Sequence, residues 1–188
     1  MNKKKLLMLV EVAIFVAIGL VLDKLTFTVW AQGGSVSLVM VPIVLMAYRW
    51  GFSAGLTTGL LIGILQMAFG GYIFTPVQAF IDYILAFTGV GFAGIVRRPV
   101  LVLAKNCLKS KLASYLIIGA IIGGLLRYIA HTVAGAIFFA EYAGDQNPWI
   151  YSIIYNGTYM LPATILTAIV CALLFTSAPQ LLQRQAHN

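Results

Sequence analysis

Six stretches of the chain are strongly apolar and long enough, or nearly long enough, to cross a membrane as helices. A transmembrane helix needs about 20 mostly apolar residues. The pattern predicts helices at about 5–22, 36–48, 52–69, 77–95, 112–140 and 149–176. The second is the shortest and contains Pro42. The pattern therefore predicts an all-α integral membrane protein, with residues 1–188 forming one domain of six transmembrane helices.

Composition supports the membrane class. Only 9% of the 188 residues are charged and 61% are hydrophobic, whereas about 25% of the residues of a typical soluble domain are charged. So few charges cannot cover a surface in water. The basic N-terminal segment has features of a secretory signal peptide, but its apolar part is long, contains Glu11 and lacks a clear cleavage site. It is interpreted as a retained first helix.

The net charge of +7 is distributed unevenly along the chain. One side of the predicted membrane collects Lys3, Lys4, Lys5, Arg49, Arg97, Arg98, Lys105, Lys109, Lys111 and Arg184. The other side holds Lys24 together with Asp23, Glu141 and Asp145. Because cytoplasmic loops are enriched in Lys and Arg, this asymmetry predicts a multi-pass cell-membrane protein with both termini in the cytoplasm. It does not indicate nucleic-acid binding.

Several classes of chemistry lack their sequence motifs. Cys107 and Cys171 belong to no ligand motif, so we expect no disulfide, no metal site and no cofactor. The chain contains no G-x-x-x-x-G-K-[ST] phosphate-binding loop. Uptake driven by ATP would therefore need another subunit to hydrolyse the nucleotide.

Four ionisable residues fall inside the predicted spans: Glu11, Asp82, Arg127 and His131. Such groups are costly in lipid and usually face a bundle interior or a wet cavity. Arg127 and His131 are four residues apart and so share a helix face. They are candidates for a binding site. The alternative is a structural ion pair, such as Asp82 with Arg127, that joins the fourth and fifth helices.

The polar residues near Asp82 predict the kind of ligand. Tyr83 follows Asp82, and the sixth helix supplies Tyr151, Asn156 and Tyr159. Tyr151 and Asn156 lie about 140° apart on an ideal helix, so they share a pocket only if Tyr151 lies at an irregular helix start. Aromatic faces attract cations and a carboxylate accepts hydrogen bonds. These groups suit a flat, cationic or amine-bearing ligand.

An intramembrane enzyme using His131 and Asp82 is an alternative of a different class. Neither G-x-S-x-G nor H-E-x-x-H is present, and one histidine with one aspartate is weak support for catalysis. Ala13 and Ala17 in the first helix form a small-xxx-small pattern. Such patterns allow close helix contacts in lipid, either inside the bundle or with a partner.

Taken together, these segments resemble the thiamine-specific S component, or ThiT family, of energy-coupling factor (ECF) transporters. The resemblance covers nearly the whole chain and is strongest in QGGSVSLVMVPI, YRWGFSAGLTTGLLIG, TPVQAFIDY, LLRYIAHTVAGAIFF and WIYSIIYNGTYM. It implies a six-helix S subunit that captures thiamine at the outer face for ATP-driven uptake. The implied partners are a transmembrane coupling subunit, contacted through Ala13 and Ala17, and two cytoplasmic ATPases.

The resemblance also implies a set of substrate-binding residues: Asp82, Tyr83, His131, Tyr151, Asn156, Tyr72, Phe139 and Ser37. Three of them depart from the family's usual residues. Asp82 takes the place of a glutamate, Phe139 that of a stacking tryptophan, and Ser37 that of a second acid. An S component for another vitamin or for a thiamine precursor therefore stays an alternative.

Overall fold

The computed structural model describes residues 3–30 and 33–182. Across these residues the chain forms a bundle of six helices, in agreement with the predicted fold. They are α1 (Lys3–Lys24), α2 (Met40–Arg49), α3 (Phe52–Ala68), α4 (Pro76–Lys105), α5 (Lys109–Phe138) and α6 (Pro148–Ser177). Single 3₁₀ turns follow α5 at Ala140–Ala143 and α6 at Pro179–Leu182.

Four of the helices, α1, α4, α5 and α6, are long and apolar enough to cross a membrane. The helix α2 is much shorter, at about 15 Å for its ten residues. Every residue from Met40 to Tyr48 is buried. Because α2 is enclosed by the other helices, it does not need the length of a lipid-facing span.

A β-hairpin precedes α2 and was not predicted. Strand β1 (Phe27–Trp30) pairs antiparallel with β2 (Gly33–Val36), and Phe27 lies opposite Val36. The predicted second helix began at residue 36, whereas α2 begins at Met40. Val36 pairs in the hairpin instead, and residues 37–39 connect β2 to α2.

The helix α4 extends beyond its predicted end at residue 95. It begins at a Thr75 cap, whose side chain accepts a hydrogen bond from the Gln78 backbone N–H, with Pro76 in the first turn. It continues through Arg97 to Lys105. The prediction stopped at the first charges, but a helix can leave the hydrocarbon core without losing its backbone hydrogen bonds. A π-helical segment, Phe80–Leu85, interrupts α4 and contains Asp82.

Glycines of α3 bring its backbone against α4. A Cβ atom on Gly59 would collide with the Phe87 carbonyl oxygen, and one on Gly63 would collide with the Tyr83 carbonyl oxygen. The glycine pattern of α3 therefore serves packing inside the bundle. Ala13 and Ala17 differ, because they are exposed on the outer face of α1 while Val12 and Val16 face inward.

Glu11, Arg49 and the C-terminal turn meet at one end of the bundle. Arg49 Nε lies 2.6 Å from Glu11 Oε2, and its Nη1 donates to the Leu181 carbonyl oxygen at 2.7 Å. Trp50 Nε1 also donates to Glu11. Glu11 therefore has structural partners. The predicted contribution of Arg184 to this basic end lies outside the described residues.

Candidate ligand-binding site

A cavity of about 510 Å³ lies at the opposite end of the bundle, beneath the hairpin and the connections before α4 and α6. This volume is typical of small-molecule sites, which span roughly 300–1,000 Å³. Its lining comes from α1, β2, α3, α4, α5, α6 and the connections between them. The lining residues are Asp23, Gly34, Ser35, Gln66, Tyr72, Gln78, Asp82, Tyr83, Phe87, Arg127, His131, Gly135, Phe139, Tyr142, Tyr151, Ser152, Tyr155, Asn156 and Tyr159.

The cavity brings together every predicted substrate-binding residue except Ser37. Ser37 is buried outside the lining, and its Oγ lies 3.5 Å from the backbone N–H of Val39, which donates to it. The strand β2 ends at Val36, so at Ser37 the chain already turns toward α2. Gly34 and Ser35 of β2 line the cavity instead. Ser37 thus lies next to the residues that line the cavity without lining it itself, and its role in substrate binding stays a prediction.

Four polar side chains form a hydrogen-bonded chain across the cavity. Gln78 Nε2 donates to Asp82 Oδ2 at 2.6 Å, and Asp82 Oδ1 lies 2.8 Å from His131 Nδ1. Arg127 Nε then donates to His131 Nε2 at 3.2 Å. Arg127 thus reaches Asp82 through His131 and not as a direct ion pair, while the contact between Asp82 and His131 joins α4 to α5.

Asp82 keeps capacity for a ligand. Its side chain is 15% exposed, and each carboxylate oxygen accepts one hydrogen bond within the chain just described. An ionised carboxylate offers roughly four acceptor positions. The π-helical segment that contains Asp82 fits this role, since such segments occur frequently at functional sites.

Gln78 connects Asp82 to the connection between α3 and α4. The residue is only 2% exposed. Its Oε1 accepts from the Phe74 backbone N–H at 2.9 Å, and its Nε2 lies 3.4 Å from the Tyr72 carbonyl oxygen. Tyr83 Oη also approaches that carbonyl at 3.4 Å. Gln78 therefore fixes the Asp82 carboxylate and the aromatic loop relative to each other.

A second polar group joins α5 and α6. Asn156 Nδ2 donates to the Ser152 carbonyl oxygen at 2.8 Å and approaches Ser152 Oγ at 3.0 Å, while Asn156 Oδ1 accepts from Tyr159 Oη. Ser152 Oγ donates to the Thr132 carbonyl oxygen at 2.8 Å. Because the amide N–H groups point at the protein, Asn156 has its second acceptor position on Oδ1 left for a ligand.

Aromatic rings form two walls of the cavity. The Phe139 ring centroid lies 5.9 Å from that of Tyr72 and 6.1 Å from that of Tyr142. On α6, Tyr151 stacks on Tyr155 at 5.8 Å. Tyr155 in turn meets Tyr159 edge-on at 6.0 Å. The α6 helix starts regularly at an Asn147 cap, so Tyr151 and Asn156 share the cavity without an irregular start.

A sequence model of the family described as "Thiamine transporter protein (Thia_YuaJ)" matches residues 9–183. The chain belongs to this family. The family's proteins are transporters, so the prediction that the chain is not an enzyme is confirmed, and with it the multi-pass membrane location.

Individual relatives are similar to this chain over more than nine tenths of their length. The chain is 46% identical over 186 residues to "Thiamine transporter ThiT" of Bacillus subtilis (strain 168), covering 97% of each chain. It is 33% identical to the ThiT of Lacticaseibacillus paracasei, covering 95% of this chain and 91% of that one. A solved ThiT structure from Listeria monocytogenes superposes with a TM-score of 0.91 at 34% identity, covering 97% of this chain and all of that one. The predicted resemblance to this transporter family is thus confirmed.

Several residues that line the cavity of this family member were missed or left without a role. Tyr155 and Ser152 share a helix face with Tyr159 and Asn156, so their four-residue spacing was a usable signal. The sequence assigns Asp23 to a loop, whereas in the structure it lies in the last turn of α1. Gln66 near the end of α3 carried no signal in the sequence, because only the folded bundle brings it to the cavity.

Proposed function

We propose that this chain is the substrate-binding S component of an ECF-type transporter and that it captures thiamine in the cavity. Thiamine carries a thiazolium cation and an aminopyrimidine with an exocyclic amine. The observation that carries the proposal is a partly exposed Asp82 carboxylate in a cavity walled by aromatic rings. The carboxylate offers counter-charge and acceptors, and the rings favour flat cations.

The proposed roles follow the positions of the side chains. Asp82 balances the thiazolium charge or accepts from the aminopyrimidine. Phe139 and Tyr72 pack against ligand rings at the mouth, while His131 does so deeper in the cavity. Tyr83, Tyr151 and the Asn156 carbonyl provide directed hydrogen bonds. Ser37 has no role in this proposal.

Titration of thiamine into the purified, detergent-solubilised protein tests the proposal, with calorimetry as the readout. We expect one-to-one binding that Asp82→Ala abolishes and Asp82→Asn weakens by roughly a hundredfold, because a hydrogen-bonded buried charge is worth about 2–5 kcal/mol. Asp145→Ala removes an exposed acid outside the cavity and serves as the matched control. Unchanged affinity in a folded Asp82→Ala protein would contradict the proposed role.

Competition experiments distinguish the alternative ligands. Thiamine monophosphate, thiamine pyrophosphate and the free aminopyrimidine alcohol are offered against bound thiamine. Preference for a precursor over thiamine would favour an S component of changed specificity. If neither thiamine nor any of these compounds binds to the folded protein, the thiamine class is rejected.

The proposal includes a topology in which both termini and the basic end are cytoplasmic and the cavity faces outward. Cys107 lies exposed in the turn between α4 and α5, while Cys171 is buried. A membrane-impermeant maleimide added to intact cells should therefore leave Cys107 unlabelled. Asp145→Cys in a Cys107→Ser background should react. The reverse pattern of labelling would place the cavity on the cytoplasmic side.

A further inference from the structure

We propose that Arg127 is a positioning residue that keeps His131 neutral, so that the charge of Asp82 stays available to a cationic ligand. This inference rests on the proposed function for its consequence, although its structural part does not need a ligand. Arg127 is 9% exposed and lies at the cavity wall. The Arg127 side chain acts through His131, because its Nε hydrogen bond goes to the imidazole.

The two hydrogen bonds of the imidazole fit one protonation state. Arg127 Nε carries a hydrogen and can only donate, so His131 Nε2 must be the acceptor. Nδ1 must then carry the single ring hydrogen and donate it to Asp82 Oδ1 at 2.8 Å. Arg127 thus selects the neutral Nδ1–H tautomer, and Asp82 keeps its full negative charge.

A second proton on His131 would break this arrangement. Nε2–H would face the Arg127 N–H across 3.2 Å, which leaves two donors and two positive charges in contact. Like charges in a partly dehydrated site disfavour the charged form. The guanidinium has little freedom to move away, because Arg127 Cζ lies 4.1 Å from the Phe87 ring centroid.

Without Arg127, no cationic donor would require His131 Nε2 to act as an acceptor. Asp82 would then stabilise a proton on His131, and the pair would become a neutral ion pair. A thiazolium entering the cavity would lose its counter-charge. Asp82, Arg127 and Tyr159 lie next to the imidazole. The other titratable groups that line the same cavity are Asp23 of α1, Tyr83 of α4, Tyr151 and Tyr155 of α6, and Tyr72 and Tyr142 of the connections.

Nitrogen-15 NMR of the histidine ring tests the structural part in ligand-free protein. The chain has two histidines, so in a His187→Gln background all histidine ring signals come from His131. We expect the Nδ1–H tautomer to persist from about pH 8 to about pH 6, a range in which an ordinary histidine titrates. In Arg127→Met the ring should become protonated over that range. An imidazolium or an Nε2–H tautomer in the parent at neutral pH would overturn the inference, whether or not thiamine binds.

Thiamine titrations test the functional part with three variants. Arg127→Lys keeps a cationic donor, Arg127→Gln keeps an N–H at the position of the arginine Nε without the charge, and Arg127→Met keeps neither. For the parent and for Arg127→Lys we expect the thiamine affinity to be nearly constant from about pH 8 to about pH 6. For Arg127→Gln and Arg127→Met we expect the thiamine affinity to fall roughly tenfold or more over the same pH range. The Gln amide can rotate to accept from an imidazolium, so it does not prevent protonation.

A neutral isostere, in which a thiophene replaces the thiazolium ring, separates charge from packing. Its affinity should stay constant with pH in all variants, because it has no positive charge for Asp82 to balance. If Arg127 had only a packing role, all three variants would lose affinity equally for thiamine and isostere, without a pH dependence. That result would overturn the inference. Loss of thiamine binding by the parent itself would reject the proposed function, and the NMR result would still decide the state of His131.

Discussion

Gly34 of β2 lies directly against the ring of Tyr159 of α6. A Cβ atom on Gly34 would stand 2.7 Å from Tyr159 Cδ1, and the Gly34 backbone has a φ of +80°. Both facts restrict this position to glycine. The hairpin therefore packs on a buried tyrosine that also lines the cavity. This contact fixes the position of the hairpin relative to the cavity.

We expect Gly34→Ala to weaken thiamine binding by roughly tenfold, mainly through faster dissociation. Left-handed backbone costs a non-glycine residue about 1–2 kcal/mol, and the new methyl group would also push the hairpin off Tyr159. Stopped-flow tryptophan fluorescence measures the dissociation rate. Gly144→Ala is the matched control, since Gly144 has a φ of +55° but open space around it. Equal effects of both changes would show that the Tyr159 contact is unimportant.

Gln78→Met should lower thiamine affinity by about tenfold or more. The change removes the 2.6 Å hydrogen bond to Asp82 and the restraint on the Phe74 backbone, and hydrogen bonds to charged groups contribute about 1.5–3 kcal/mol. Calorimetric titration gives the affinity. Gln180→Met alters an exposed glutamine in the 3₁₀ turn after α6 and should bind normally. Wild-type affinity in Gln78→Met would mean that Asp82 is held without it.

Glu11→Gln should destabilise the protein and leave the cavity unchanged. The change removes the negative charge that faces Arg49, whose side chain is only 17% exposed. Because a buried group that loses its hydrogen-bond partner costs about 1–3 kcal/mol, we expect the free energy of unfolding to fall by a similar amount. A lower midpoint of thermal denaturation in detergent, with unchanged thiamine affinity, is the expected result. Glu141→Gln, at an exposed acid, should alter neither. A selective loss of thiamine affinity in Glu11→Gln would instead connect the two ends of the bundle.

Ala13→Leu combined with Ala17→Leu should separate binding from transport. Both alanines are exposed on α1, so the added bulk faces outward and the purified protein should bind thiamine normally. Small residues allow close helix contact in lipid, so we expect thiamine uptake by cells that carry a coupling subunit and its ATPases to fall sharply. Ser114→Leu adds similar bulk to an exposed position of α5 and should preserve uptake. Normal uptake by the alanine double variant would remove this face from the proposed interface.

The sequence by itself determined the class, the number of helices and much of the site. The length of an apolar stretch and the helical period are local properties of the sequence, so they predict helices without knowledge of the fold. The predicted bounds of the four long helices lie within a few residues of the observed bounds, except where α4 continues past Arg97. The shared face of Arg127 and His131 follows from the same period. The residue types Asp82, Tyr83 and Tyr151 predict a site for a flat, cationic ligand, and the structure places all three at one cavity.

Only the tertiary structure decided which groups meet. The placement of His131 between Asp82 and Arg127 depends on how α4 and α5 face each other, and on a π-helical segment that the apolar pattern does not encode. The exclusion of Ser37 and the entry of Gly34 depend on where the hairpin ends. These features arise from contacts between distant parts of the chain, whose geometry is set by packing of the whole bundle, and so no local pattern in the sequence could specify them.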